Sequence, residues 1–405
     1  MQVILKKIAR EIDRTVKIIT AFLVSRIPFR QVKRLRDEQC WLIGGSVGKA
    51  YADNGAALHK YITEHYPDIN VYWVINKNSS DVEKARLVGP TLYREDLKTY
   101  IYGLLAQVQI VSHGLHDVPT CSSKLSKRAV KVRLGHGLTA LKKTNGSLLR
   151  SVETKSQIFD LVPVSSEFEA EIKRNWGFTS DQIAVTGLPR FDELLRKREL
   201  SLISPGEVQN SKILYMPTWR DWLPPESNAL VGSDFYAQVV AFLMDPGLNE
   251  CLMRHNIFID VHLHIIMQQN LNTMMNGLTG LSNVRVLPSG VDLQVELVSS
   301  KLLITDYSSV AWDFLYLDKP VLFYQFDLEK FTRYRGAYID LNDLFGPVAY
   351  NPRQAVALTR TFIEQDFDCT GYKEMMDRWQ KKAFPYRDAN NCARTVEAIL
   401  KLLDD

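Results

Sequence analysis

The side chains of this sequence with the clearest chemical potential are histidines that follow strand-like apolar runs. His136 follows the strand candidate Val130–Leu134 and is flanked by Gly135 and Gly137. A histidine in such a turn has little packing reason to be there, and glycine lets a ligand approach the backbone closely. Because an unperturbed imidazole titrates near about pH 6.5, His136 is a candidate acid or base. His113, which also precedes a glycine, resembles it weakly, and we interpret it as structural.

A second pair of histidines, His262 and His264, ends the strand candidate Ile257–Leu263. Positions two apart in a strand share a face, so both rings should project together. The spacing suits a metal, but the sequence offers no second histidine pair and no clear carboxylate partner, so we predict no metal site. Two interpretations stay open: the pair faces a phosphate or transfers protons, or both rings are structural.

Two adjacent serines, Ser308 and Ser309, separate the apolar strand candidate Leu302–Thr305 from a helical segment. Helix N-termini present free N–H groups and a partial positive charge, so phosphate binds there readily. Each hydroxyl could donate to a phosphate oxygen. The alternative is that the serines only cap the helix.

Two arginines also follow strand candidates: Arg190 in residues 187–192 and Arg220 in residues 215–220. A guanidinium group can clamp phosphate in a bidentate manner. Both are therefore candidates for phosphate binding, and the alternative is surface ion pairing with Asp192 and Asp221.

Several apparent motifs lack the features that the corresponding functional sites require. Residues 44–50 are rich in glycine but have the wrong spacing for a P-loop and lack its Ser or Thr. The tripeptide Asp366-Phe367-Asp368 resembles a nucleotide-holding DxD, but it lies in an acidic stretch outside the series of strand ends, so we interpret it as surface. The five scattered cysteines form no CxxC, which argues against a disulfide framework or a thiolate zinc site.

These candidates must be positioned by the elements between them. Short β-rich apolar runs alternate with helix-like stretches throughout residues 38–405, which indicates parallel sheets covered by helices. One sheet of ten or more strands would be unusually large. We therefore predict an α/β protein with two doubly wound domains, residues 38–204 and 205–405. Ligands of such sheets bind beyond the carboxyl ends of the strands, so an interdomain cleft is the expected site.

The N-terminal segment, residues 1–37, is basic and amphipathic. It carries ten Lys/Arg against three Asp/Glu, a net charge of +7, which leaves −3 for residues 38–405 of the total +4. Ile12, Ile19 and Leu23 recur at helical spacing with Val16 beside them. Such a helix can lie in the interface of an anionic membrane. The alternative is a first helix packed on its own domain, and nucleic-acid binding is disfavoured because the basic stripe does not continue.

No apolar run near the start of the sequence is long enough to span a bilayer. The run Ile18–Val24 is far short of the roughly 20 residues that span a bilayer, and no cleavage site for a signal peptide follows it. The expected location is therefore the cytoplasm or, with the basic helix, the cytoplasmic face of the cell membrane as a peripheral protein.

Five segments together resemble, in order, the CDP-glycerol glycerophosphotransferase family of teichoic-acid and capsule polyol-phosphate transferases. Residues 135–143 are similar to the family's Trp-His-Gly-Thr-Pro-Leu-Lys stretch, 187–192 to its Gly-x-Pro-Arg-x-Asp, and 217–220 to its Pro-Thr-Trp-Arg. Residues 262–264 occupy the place of Arg-x-His, and 305–309 with Asp313 are similar to its most specific signature. Three positions depart from the pattern: Gly135 replaces Trp, Thr139 replaces Pro, and His262 replaces Arg.

The resemblance implies a GT-B-like architecture and a transferase, for which we predict no cofactor and no metal site. The donor would be CDP-glycerol or another CDP-polyol, and CMP would leave as a polyol phosphate passes to a hydroxyl of a lipid-linked or polymeric acceptor. By motif position, His136 and His264 correspond to the two functional histidines. Donor-binding positions are implied for Gly135, Gly137, Leu138, Thr139, Arg190, Pro217, Thr218, His262, Leu263, Ser308, Ser309 and Asp313.

The two histidines can be given roles on this basis. An acceptor hydroxyl must lose its proton as it attacks phosphorus, and we assign His136 as the base because its loop comes from the first domain, which should face the acceptor. His264 would then bind or protonate the pyrophosphate bridge, and the exchanged assignment stays open. Two other functions remain as alternatives: a GT-B glycosyltransferase that uses a sugar nucleotide, and a membrane-attached, nucleotide-binding scaffold without catalysis.

Overall fold

The computed structural model describes residues 2–27, 39–126, 128–144, 156–203, 211–223, 230–263, 278, 280–288 and 290–404, with the backbone alone for 2–10, 202 and 203. The chain divides into two compact units. Unit 1 comprises residues 1–137, 147–193 and 386–405, and unit 2 comprises residues 138–146 and 194–385.

Unit 1 is built on parallel strands. Its strands are β1 (Gln39–Gly44), β2 (Ile69–Ile75), β3 (Thr91–Tyr93), β4 (Val108–Val111), β5 (Val130–Arg133), β6 (Val162–Val164) and β7 (Ile183–Val185). The first five form one sheet in the order β3-β2-β1-β4-β5, and β6 pairs with β7. Every pairing is parallel, which agrees with strands such as β4 being buried along their whole length.

The helices of unit 1 connect and cover these strands. They are α1 (Gln2–Arg26), α2 (Asp53–His65), α3 (Val82–Val88), α4 (Leu97–Leu105), α5 (Glu167–Arg174) and, at the end of the chain, α14 (Asn391–Asp404); α6 (Arg190–Ile203) begins in unit 1 and continues into unit 2. The main core of unit 1 centres on the buried rings of Trp41 and Trp73. Helix α1 packs on α4 through a small separate cluster around Ala21, Tyr100 and Leu104.

Unit 2 repeats the same plan. Its strands β8 (Lys212–Met216), β9 (Phe258–Val261), β10 (Val284–Val286), β11 (Leu302–Thr305), β12 (Val321–Tyr324) and β13 (Val348–Ala349) form a parallel sheet in the order β10-β9-β8-β11-β12-β13. Its other helices are α7 (Asp234–Leu243), α8 (Pro246–Arg254), α9 (Leu293–Ser299), α10 (Val310–Tyr316), α11 (Leu328–Tyr334), α12 (Pro352–Glu364) and α13 (Lys373–Ala383).

The strand order identifies where ligands should bind in each unit. In both sheets the first strand of the unit lies between its second and its fourth, so the winding direction reverses between β1 and β4 and between β8 and β11. Open α/β sheets bind ligands at this switch point, beyond the carboxyl ends of the strands. The prediction of two doubly wound sheets is confirmed. The cleft expected between the domains stays a prediction.

The observed division differs from the predicted boundary at 204/205 because the chain crosses between the units more than once. Cys392, Val396 and Ile399 of α14 are buried in the core of unit 1, so the last residues do not belong with the second sheet. Residues 138–146 belong to unit 2, and so does most of α6. Two short strands, β3 and β13, were not expected from the sequence.

Gly187, in the turn after β7, is required by its surroundings. Its φ is +78°, and a Cβ there would lie 1.7 Å from Oδ1 of Asn391. We predict that Gly187→Ala lowers the free energy of unfolding by about 2 kcal/mol or more, because it adds both a clash and left-handed strain. Thermal unfolding measures this, with Gly371→Ala as the control, since nothing lies within 4 Å of a Cβ there. Equal melting temperatures for the two variants would contradict the packing argument.

Candidate functional site

In unit 1, the turn after β5 places His136 at the carboxyl edge of the sheet. Gly135 and Gly137 have φ values of +71° and +137°, a backbone conformation that glycine adopts without strain. The His136 side chain between them is exposed. The glycines are therefore explained by the turn itself, which directs the imidazole out of the sheet.

The turn is held by polar side chains from α2 and α6. Asn54 Nδ2 donates to Gly135 O at 3.1 Å, and its Oδ1 accepts the backbone N–H of Arg190 at 3.0 Å. The Arg190 guanidinium donates to His136 O at 2.9 Å and to Asp53 Oδ1 at 3.0 Å. Arg190 thus fixes the backbone of the histidine turn.

This arrangement differs from the surface pairing considered for Arg190. Its carboxylate partner is Asp53 and not Asp192, whose carboxylate accepts the backbone N–H groups of Asn391 and Cys392. Asp192 therefore anchors the start of α14. The role of Arg190 in donor binding, which the motif implied, stays a prediction.

The His136 ring stacks on a second histidine, His113, from the loop after β4. The ring centroids are 4.9 Å apart and the planes differ by 2°. Desolvation lowers the pKa of His136 from 6.5 to about 4 although the residue is exposed. The charge of Asp53 opposes this shift, whereas His113, Lys173 and Arg190 add to it. His136 is therefore neutral at physiological pH and able to accept a proton.

In unit 2, the switch point is organised by a buried arginine. Arg220 donates to Asp327 Oδ2 at 2.6 Å and to Asp327 Oδ1 at 3.0 Å, and it pairs with Asp306 Oδ2 at 2.7 Å. Burial alone would lower the pKa of Arg220, but the two carboxylates outweigh it and raise the pKa. The guanidinium is fully buried. Arg220 is thus a structural charge and does not pair with Asp221, which contacts Arg335 instead.

The loops after β8 and β11 carry the predicted donor-binding residues. Thr218 N donates to both carboxylate oxygens of Asp306 at 3.0 and 3.1 Å. The Thr218 Oγ1 atom is buried without a hydrogen-bond partner. Pro217, which precedes it, is buried as well. A buried hydroxyl with no partner at the edge of a sheet is unfavourable unless a ligand satisfies it.

The two serines lie directly before α10. Ser308 Oγ accepts the backbone N–H of Val310 at 3.4 Å, whereas Ser309, the N-cap residue, makes no side-chain capping bond. Both side chains are half-buried. Helix capping thus explains Ser308 in part, but it does not explain the Ser309 hydroxyl. Asp313 is buried in the first turn of α10.

The histidine pair was expected at the end of a strand that reaches Leu263, but the strand is shorter than expected. β9 ends at Val261, so His262 and Leu263 follow the strand. His262 N donates to Tyr215 O at 2.9 Å, and its Nδ1 atom is buried without a partner. Burial lowers the pKa of His262, and Glu296 opposes the shift. Leu263 is buried, and His264 lies outside the described residues.

The remaining motif residues pass directly from His136 into unit 2. Leu138 is buried and Thr139 is half-buried. Farther along, Lys143 N donates to Gly336 O at 2.8 Å, and Arg335 Nε donates to Lys143 O at 2.6 Å. These bonds explain why this short segment belongs to the second unit. Within the described ranges, no group of three or more His, Cys, Asp or Glu side chains is placed to hold a metal ion.

The sequence did not reveal the side chains that hold the loops of the two candidate sites. Asn54, Asp53 and Asp117 were not singled out, and Asp306 and Asp327 were not recognised as partners of Arg220. The only available signal was position: Asp306 directly follows a buried strand, and Asp53 and Asn54 begin a helix. Their partners are remote in sequence, so no local pattern could reveal them.

The charge cluster in unit 2 predicts a large effect of removing one member. Asp306→Ala would leave Arg220 incompletely paired and Thr218 N without its acceptor, so we expect a loss of about 3 kcal/mol or more in unfolding free energy. Chemical denaturation measures it. Asp366→Ala is the control, because Asp366 pairs with Lys301 on an exposed surface and its loss should amount to less than about 1 kcal/mol. Similar losses in both variants would refute the role given to Asp306.

Comparison with known proteins finds one matching family and several similar proteins. The model of the family described as CDP-Glycerol:Poly(glycerophosphate) glycerophosphotransferase matches residues 26–401. The minor teichoic acid biosynthesis protein GgaB of Bacillus subtilis is 26% identical over 384 residues, which cover 89% of this chain but only 40% of that protein. The teichoic acid glycerol-phosphate transferase of Staphylococcus aureus is 25% identical over 396 residues, 92% of this chain and 96% of the relative.

The fold also has a solved counterpart. The structure of the wall teichoic acid polymerase TagF aligns with 99% of this chain and 96% of its own chain, with a TM-score of 0.72 and 18% identity. At that identity the likeness shows the fold. The predicted GT-B-like class, with two Rossmann-type domains, is confirmed.

Proposed function

This chain belongs to the CDP-glycerol:poly(glycerophosphate) glycerophosphotransferase family, and on that premise we propose that it transfers a polyol phosphate. The donor is CDP-glycerol or a related CDP-polyol, the acceptor is a hydroxyl of a lipid-linked or polymeric chain in teichoic-acid-like synthesis, and CMP leaves. The family resemblance predicted from the motifs is confirmed. The activity is carried over from relatives such as the Staphylococcus aureus transferase, which this chain covers almost completely.

The donor phosphates would bind at the switch point of unit 2. Thr218 Oγ1 and His262 Nδ1 are buried polar atoms without partners, and they follow the adjacent strands β8 and β9. Ser308 and Ser309 follow β11, which pairs with β8 on its other side. Hydroxyls and imidazole N–H groups donate well to phosphate oxygens, and stabilising charge on the transferred group is the main task of such an enzyme.

His136 would accept the proton of the acceptor hydroxyl. Its turn is fixed by Asn54 and Arg190, and its lowered pKa keeps the ring neutral before substrate binds. A general base must lie beside the phosphoryl group under attack, and the negative charge of that group would raise this pKa and so make His136 a stronger base when it is needed. The motif position of His264 supports the complementary role, binding or protonation of the bridge to the CMP leaving group.

The observation that carries the proposal is this neutral, fixed His136 in a chain of this family. We expect wild-type protein to release CMP from CDP-glycerol or CDP-ribitol with a lipid-linked acceptor, and His136→Ala to lose at least about 100-fold in kcat, the usual contribution of a general base. His255→Ala is the matched control, since His255 is an exposed histidine at the end of α8.

The outcomes separate the alternatives. Release of a nucleoside diphosphate from a sugar nucleotide, with no CMP from CDP donors, would indicate a glycosyltransferase. CMP release that His136→Ala leaves at the wild-type rate would remove His136 from the chemistry. Folding of each variant is checked by circular dichroism, so that a loss of activity is assigned to the side chain.

We also propose that α1 attaches the protein to the membrane surface. Its inner face packs on α4 through Ala21, and Arg14 donates to Pro119 O at 3.2 Å and to Ser122 Oγ at 2.7 Å. The helix is therefore packed on its own unit, as the alternative interpretation held, but an apolar stripe remains exposed. That stripe comprises Ile12, Val16, Ile19, Leu23 and Ile27.

An exposed row of large apolar side chains is the kind of surface that inserts into the headgroup region of a bilayer. None of the helices among the described residues has the length and apolar character needed to cross a membrane. The exposed stripe supports an interfacial contact, which we propose for the cytoplasmic face of the membrane.

Vesicle flotation tests this attachment. We expect wild-type protein to float with anionic vesicles and the double variant Ile19→Asp, Leu23→Asp to remain at the bottom, because two carboxylates replace apolar side chains that are 52% and 61% exposed. Leu87→Asp is the control, since Leu87 is an 89% exposed leucine of α3. Flotation of the double variant at the wild-type level would exclude α1 as the anchor.

A further inference from the structure

We propose that His113 is a positioning residue for the transfer reaction: it holds the imidazole of His136 by stacking on it. The inference rests on the proposed function, in which His136 is the base. The two rings come from separate strand ends, the loops after β4 and β5, and lie parallel at 4.9 Å between centroids. The glycines on either side of His136 offer no side chains to support its ring, so the stacked neighbour determines where its nitrogens point.

The orientation of His113 is itself fixed by the backbone. Ser46 N donates to His113 Nδ1 at 3.1 Å. A ring nitrogen that accepts an N–H bond carries no proton, so a neutral His113 has its proton on Nε2. The bond thus selects both the rotamer and the tautomer of the ring that supports His136.

The loop that supplies this N–H group is strained and firmly anchored. Ser46, Val47 and Gly48 have φ values of +49°, +53° and +75°, a conformation that is unfavourable for a β-branched residue such as Val47. The buried carboxylate of Asp117 accepts Val47 N at 2.7 Å, and it also accepts His113 N at 2.7 Å. One carboxylate therefore ties the loop that carries Ser46 to the loop that carries His113.

Charged groups around His136 change its pKa, and a protonated His113 is one of them. His113 therefore has a second, electrostatic effect on His136. Asp53 from α2 favours the charged imidazole, whereas Arg190 from α6, Lys173 from α5 and His113 itself disfavour it. Removal of His113 should therefore move the protonation of His136 toward higher pH. Stacking and charge can be separated, because phenylalanine keeps a flat ring at this position but cannot take up a proton.

Two substitutions of His113 test the inference through CMP release from CDP-glycerol. For His113→Ala we expect kcat to fall about tenfold with the KM for CDP-glycerol within about twofold of wild type, because the base loses its support while donor binding is unaffected. For His113→Phe we expect kcat to return to within about threefold of wild type. The acid limb of the kcat profile should move to higher pH in both variants.

The control is His116→Ala, an exposed histidine of the same loop, which should behave as wild type. Wild-type kcat in His113→Ala would overturn the inference. Equal losses in the Ala and Phe variants would overturn it as well, since a retained ring would then confer nothing. Thermal unfolding of each variant verifies the fold, and His113→Asn serves as a second ring-deleting variant with the expectation of His113→Ala.

A readout without catalysis separates this inference from the proposed function. Failure of the wild-type protein to release CMP would contradict the proposed function only. In that case, NMR titration of the His136 ring still decides the stacking contact. Unchanged ring shifts of His136 in His113→Ala across the titration would overturn it, and ring shifts that differ from wild type throughout the titration would support it.

Discussion

A buried aspartate joins the loops on the two sides of the switch point in each sheet, and the geometry of both candidate sites depends on it. Asp117, after β4, accepts the backbone N–H of Val47 from the loop after β1. Asp306, after β11, accepts the backbone N–H of Thr218 from the loop after β8. Where a parallel sheet reverses its winding, the two loops diverge and leave N–H groups without strand partners. A carboxylate satisfies several of them at once and fixes the distance between the loops.

The two units use the same constraint for different purposes. In unit 1 the anchored loops present two stacked imidazoles at the sheet edge, with His136 kept neutral by its surroundings. In unit 2 Asp306 also pairs with the fully buried Arg220, which makes the loop carrying Thr218 part of a charged cluster. In the proposed function, the first arrangement moves a proton and the second holds a phosphate. This division of tasks is what transfer of a phosphoryl group between two substrates requires.

Much of this could be predicted from the sequence, because the evidence was local. The apolar run Leu302–Thr305 predicted β11 with its observed bounds, and the glycines around His136 indicated its turn. The remainder depends on partners that are distant in the chain. The sequence near Arg190 does not indicate that Asp53, on another helix, is its partner. The sequence near the predicted boundary likewise does not show that α14 packs into the core of unit 1. His113 was interpreted as structural because its sequence context resembles that of His136 only weakly. The contact between the two rings forms only when β4 and β5 pair.

The titration of His136 in the wild-type protein tests the central claim, a neutral base held ready at the edge of the first sheet. NMR of protein with labelled histidine follows the ring directly, and His136→Ala assigns its signal. We expect a midpoint near pH 4 in the free protein and a higher midpoint when CDP-glycerol is added. A midpoint at or above pH 6.5 in the free protein would contradict the account, because the surroundings of His136 would then not lower its pKa.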